Sequence, residues 1–137
     1  KVLEFSWQGE FIANDLSRDF VGISWDEENN WRDREKILLR LETIKKPEEL
    51  VEFLTWFAGN SSFFSVYSST GMTEDFAESF VFYHLKTRFD YALQLFYSGE
   101  LRIPDLTAPT KEREEKFGFI AGVMRGPELL DLLEKGR

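Results

Sequence analysis

Glu74 and Glu78 lie four positions apart in a stretch with helical patterning. That spacing brings both carboxylates to one helix face, about 6 Å apart at Cβ. Like charges so placed disfavour a helix by a few tenths of a kcal/mol unless a cation or proton donor lies near them. Two readings follow. Either the pair belongs to a solvated face, or one carboxylate binds a divalent cation while the other accepts a hydrogen bond from an imidazole ligating the same ion. The neighbours favour the second reading. Asp75 and Ser79 are expected to supply the solvent-facing polarity, and Phe76, Ala77 and Phe80 a buried stripe with the two glutamates at its edge. Tyr67, seven residues before Glu74, is the third candidate. Taken alone it reads better as a half-buried tyrosine with a satisfied hydroxyl; its offset from Glu74 brings the two readings level.

The element that must position these groups is a turn feeding a helix. Gly71 supplies loop freedom, Thr73 is the expected N-cap, and Glu74 and Asp75 place negative charge where the macrodipole favours it. The helix is expected to run from Thr73 toward Tyr97, with a break near 87–90 and a stop at Ser98-Gly99. Phe82, Tyr83, Phe89, Tyr91, Leu93, Leu95 and Phe96 crowd it on several sides and predict burial. The one histidine, His84, falls ten residues after Glu74, about 15 Å along a helix axis. It is too far away to share a metal with Glu74, and is expected to be a packing or surface side chain.

The run Glu74-Asp75-Phe76-Ala77-Glu78, followed by Ser79-Phe80 and Tyr83, resembles the second metal-binding helix of the gluzincin zinc metallopeptidases, above all the lethal-factor-type toxins and related bacterial zinc peptidases. The resemblance implies that Glu74 is the third zinc ligand, that Glu78 supports a zinc-bound histidine, and that Tyr67 assists the transition state. It is confined to the motif and holds only loosely in the flanks. The family also carries His-Glu-x-x-His on an earlier helix, which supplies two ligands and the general base. No such motif can be written in these 137 residues.

The implied function is therefore that of the C-terminal portion of a zinc metallopeptidase. Its partners would be a peptide or protein substrate and the N-terminal half of the same protein. Zinc is expected in the complete enzyme, and the isolated chain is expected to be inactive and essentially metal-free. The chain begins at Lys1 without an initiator Met, which is read as a processed product or a piece of something longer. The alternative is a degenerate peptidase-like module that binds protein without catalysis.

Composition bounds the remaining classes. The length fits one domain or a large part of one. Fourteen Phe and four Trp argue against disorder in spite of 31% charged residues. A net charge of -8, with Lys and Arg scattered among acids, argues against a nucleic-acid binder. The absence of cysteine removes disulfides and thiolate metal sites. No apolar run reaches the roughly 20 residues of a membrane helix. The cellular address stays open, a secreted or periplasmic one included.

The fold expected is mainly α, four or five helices with short extended segments near the N-terminus, like the helical C-terminal subdomain of a zincin. Residues 1–25 read as irregular or extended, with weak alternation over 2–7 and core roles for Trp7 and Trp25. Residues 26–30 read as a solvated loop, and 31–41 as a short helix or extended segment with surface charges. Residues 47–59 form a clear helix: Pro47 suits its first turn, Glu48 and Glu49 its dipole, and Gly59 its end. Leu50, Val51, Phe53, Leu54 and Phe57 are its buried face. Leu101 to Thr110 reads as a proline-marked connector, 111–124 as a helix, and 128–135 as a last amphipathic turn or two. The charges of 112–116 are expected on a solvated face.

Overall fold

The computed structural model describes residues 5–7, 11–13, 18–25, 30–103, 105 and 107–125. The architecture is mainly helical, as the patterning predicts. In chain order the elements are β1 (Phe5–Trp7), β2 (Phe11–Ala13), α1 (Arg18–Ser24), α2 (Asn30–Thr43), α3 (Pro47–Asn60), a 3-10 turn (Tyr67–Thr70), α4 (Met72–Phe89), β3 (Leu95–Tyr97), β4 (Glu100–Ile103) and α5 (Lys111–Arg125). The strands form two separate antiparallel hairpins, β1 with β2 and β3 with β4. Of the loop expected at 26–30, Asn30 instead opens α2 and residues 26–29 lie outside the described residues, as does the turn at 128–135.

Helix α3 follows its sequence signals closely. Pro47 opens it, and the Glu49 carboxylate accepts the backbone N–H groups of Lys45 and Lys46 at 2.7 and 3.1 Å. Two donors that the first turn leaves unmatched are thereby satisfied. Phe53 and Phe57 are buried, whereas Leu50, expected on the same face, is largely exposed. Phe53 and Phe57 join Ile37 and Phe63 in the main core, with Trp25, Leu41, Ile44, Leu54, Trp56 and Val66 packed around them.

Three local expectations are corrected or narrowed. Residues 18–24, read as extended, are helix α1, which inserts Phe20 edge-on against Phe76 at 5.2 Å and beside Phe119 at 5.5 Å. Aromatic burial decides this short segment, which carries no strong helical pattern of its own. The segment at 31–41 resolves to helix, over Asn30–Thr43.

The third correction concerns the far end of α4. The helix stops at Phe89, because Asp90 turns left-handed (φ 48°) and its N–H bonds the Lys86 carbonyl at 3.0 Å. The chain then forms a hairpin whose turn, Ser98 (φ 53°) and Gly99 (φ 78°), has two positive φ angles. Ser98-Gly99 is thus a hairpin turn between β3 and β4, not a helix stop. Phe89, Tyr91 and Phe96, expected to be buried, are exposed, Phe89 by 74%.

The C-terminal helix α5 ties the layers together, and here too the sequence reading is corrected. Arg113 and Lys116, expected on a solvated face, are fully buried. The Arg113 guanidinium donates to the carbonyls of Phe57, Ala58, Phe63 and Ala108 at 2.7 to 3.3 Å. Phe57 and Ala58 lie in the last turn of α3; the Phe57 carbonyl also takes the Ser61 N–H at 3.0 Å, and the Ala58 carbonyl has no donor within the helix. Burial pushes the guanidinium down to about 10, which leaves it charged at neutral pH.

Candidate functional site

The site is built on the first two turns of α4 and the 3-10 turn before it. Helix α4 starts at Met72, one residue earlier than expected. Gly71 takes the N-cap position in an extended conformation with no side-chain cap, so Thr73 lies inside the first turn. The 3-10 turn is held by serine and threonine hydroxyls: Ser65 and Ser68 exchange hydrogen bonds, Ser69 Oγ donates to the Val66 carbonyl, and Thr70 Oγ1 to that of Tyr67. Ser68 and Ser69 are buried, and Tyr67, 60% exposed, projects from the turn.

Tyr67, Glu74 and Glu78 come together. With Thr73, Ala77 and Val81 they line one open depression of about 210 Å³. The three sequence candidates therefore share a surface, although Tyr67 belongs to a different element from the glutamates. Among the described residues neither glutamate side chain has a hydrogen-bond or ion-pair partner. His84 lies apart from them, its ring 4.4 Å from Phe80 and 5.3 Å from Tyr83. Packing is its role here, as expected.

The side of α4 that faces the interior is turned about a quarter-turn from the one predicted. Asp75 and Ser79, assigned to solvent, are the helix's fully buried residues, while Ala77 and Phe80, assigned to the core, are exposed. The reason lies on α5. Lys116 Nζ donates to both Asp75 carboxylate oxygens at 2.7 and 2.9 Å, and to the Ser62 carbonyl at 2.8 Å. Trp25 Nε1 donates to Asp75 Oδ2 at 3.0 Å, and Ser79 Oγ to Oδ1 at 3.4 Å. The ammonium also sits 4.7 Å from the Phe63 ring centroid. Burial pushes the Asp75 carboxyl up and the Lys116 ammonium down, each against the pull of the other. Among the described residues no buried side-chain polar atom lacks a partner.

Lys116 and Trp25 are the residues that the reading of the sequence did not connect to the site. A signal for Lys116 exists: Arg113, Lys116 and Ile120 fall at i, i+3 and i+7, the spacing of a single inward stripe. The charges at its first two positions disguise it.

The donor set can be tested against the zinc that the resemblance implies. Among the described residues no three His, Asp or Glu side chains cluster as a metal cage. The residues present fit the contribution of one carboxylate ligand with a supporting acid beside it, not a whole site. Comparisons of the chain with models of known families, with curated proteins and with solved structures found no match.

Proposed function

We infer that this chain carries the third-ligand helix of a zinc-dependent peptidase. The two imidazoles and the general base would come from a segment that these 137 residues do not contain. The observation that carries the reading is the convergence of Tyr67, Glu74 and Glu78 on one open depression, with both carboxylates free of partners among the described residues. A solvated face would not need the tyrosine of a preceding turn to join it. Zinc held there supplies Lewis acidity toward a bound water and a substrate carbonyl.

The chain's own residues have three separate tasks. Glu74 offers an anionic oxygen from a rigid helical turn. Glu78, one turn on, accepts the outward N–H of a ligating imidazole and so fixes its orientation. Tyr67, on the exposed 3-10 turn, donates its hydroxyl proton in a hydrogen bond to the oxyanion that develops on a scissile peptide. The substrate class is a peptide or protein. Among the described residues no helix is long and apolar enough to cross a membrane.

A second reading, a peptidase-like module that binds protein without catalysis, is favoured by the exposed apolar side chain of Val81, which lines the same depression as the carboxylates. Glu74→Gln in the longest natural form of the protein separates the two. It keeps size and hydrogen bonding but removes the anionic ligand. Hydrolysis and bound zinc should fall together while circular dichroism stays helical. Unchanged zinc content and rate would overturn the peptidase reading.

A further inference from the structure

We propose that the buried Asp75–Lys116 pair is a positioning device that sets the rotation of α4 about its own axis, and thereby decides where on the depression Glu74 and Glu78 stand. Its consequence for zinc rests on the reading above; the rotation itself does not.

Phe76, Phe80, Val81, Phe82, Tyr83, Leu85 and Phe89 are spread around α4, so hydrophobic patterning alone does not define an inward face. At ~100° per residue, Asp75, Ser79 and Phe82 share one side, and Phe76, Phe80 and Tyr83 share another about a quarter-turn away. The second side is the more apolar, and burying it would be the ordinary choice. That choice would swing Asp75 out to the flank that Glu74 now occupies, and carry Glu74 and Glu78 round to the places that Thr73 and Ala77 now take on the depression. The observed rotation buries Asp75 and Ser79 instead and leaves Phe80 and Val81 in solvent.

What holds it is a set of directional bonds with one acceptable arrangement. The Asp75 carboxylate takes both contacts from Lys116 on α5, one from Trp25 after α1 and one from Ser79. The ammonium's remaining donor goes to the Ser62 carbonyl. A rotation of even one residue breaks all of them and strands two charges in the interior. Buried ion pairs contribute little net stability compared with apolar packing, and selecting one arrangement is a role such pairs can serve.

The absence of cysteine makes the test clean, since one introduced thiol is the only one present. Ala77→Cys and Ser79→Cys are made singly, in the natural background and in Asp75→Leu/Lys116→Met, and their reaction with a water-soluble thiol reagent is timed on the folded chain. In the natural background the thiol at 77 should react roughly 100-fold faster than that at 79, as exposed and buried sites differ. In the double variant the ratio should fall below roughly 10-fold while helical circular dichroism is unchanged. Asp75→Asn/Lys116→Gln, which keeps polar shape, should hold most of the original ratio.

A ratio that survives Asp75→Leu/Lys116→Met overturns the proposal, because apolar packing would then fix the rotation. Loss of helical signal in both double variants overturns it as well, because the pair would be a general requirement for folding. Zinc retention by Asp75→Leu/Lys116→Met in the longest natural form is the separate readout for the peptidase reading. A collapsed thiol ratio with no zinc in either background would sink that reading and leave the positioning role standing.

Discussion

Lys116 reaches Asp75 across 41 positions of sequence and grips both oxygens of its carboxylate, with neither side chain exposed to solvent. A carboxylate and an ammonium removed from water in this way are stable only together. Removing one partner leaves the other charged and buried, which costs about 3–5 kcal/mol.

Lys116→Met should therefore lower the urea midpoint sharply, and Asp75→Leu/Lys116→Met should restore most of it. The single variant should also acquire a pH dependence. Burial already raises the Asp75 carboxyl above its ordinary 3.8, and without Lys116 the main opposing pull is gone. The folded state then binds a proton that the unfolded state releases, so stability should rise as pH falls from 8 toward 4. A midpoint that instead drops on acidification across that range would show the carboxyl is not held in the interior.

Arg113 makes the second prediction. Its donors satisfy carbonyls of Phe57, Ala58, Phe63 and Ala108, and no other side chain is placed to take over all four. Arg113→Met should cost about 3 kcal/mol or more, because buried acceptors are left unpaired. Arg113→Lys should recover less than half of that, since one ammonium cannot span the fork. Thermal or urea unfolding measures both. Near-equal stability of Arg113→Lys and the natural chain would refute the capping role.

Asp105 organises the approach to α5. Its Oδ1 accepts the Thr107 N–H at 2.9 Å and hydroxyl at 2.6 Å, and Lys86 Nζ lies 3.4 Å from Oδ2. Partial desolvation pushes the carboxyl up, but Thr107 and Lys86 together outweigh it and hold it below the ordinary 3.8. A lowered carboxyl contributes stability that is present above 3.8 and is lost as pH falls below it. Asp105→Ala should cost about 1 kcal/mol at pH 7. The gap between variant and natural chain should narrow once the pH drops under the ordinary carboxylate value, and a gap constant through that range would contradict it.

The remaining prediction concerns the order of effects at the depression, read in the longest natural form. Glu78→Gln should lower metal affinity or activity by roughly 10- to 100-fold, as loss of an orienting partner does. Tyr67→Phe should leave bound zinc unchanged and slow turnover by roughly 100-fold or more, because its hydrogen bond matters only as the oxyanion forms. Small and equal effects at both positions, with zinc content unmoved, would favour the non-catalytic binding module.

The sequence by itself determined the helical class, the bounds of α3 and α5 to within a residue or two, and the candidates Tyr67, Glu74 and Glu78. These depend on local chemistry: Pro47 and Glu49 at a helix start, carboxylates four apart, and short-range periodicity. It also contained, unread, the hairpin signal of Ser98-Gly99 between Leu95-Phe96-Tyr97 and the alternating Glu100-Leu101-Arg102-Ile103, and the i, i+3, i+7 stripe of Arg113, Lys116 and Ile120.

Only the tertiary structure decided which side of α4 faces inward. The rule that places apolar residues inside and charges outside gives the wrong rotation, because it is blind to a partner 41 positions away. Asp75 is buried for the sake of Lys116, and Lys116 for the sake of Asp75; neither burial is favourable until the other exists. That mutual requirement is a property of α4 against α5, which no local pattern within either helix contains.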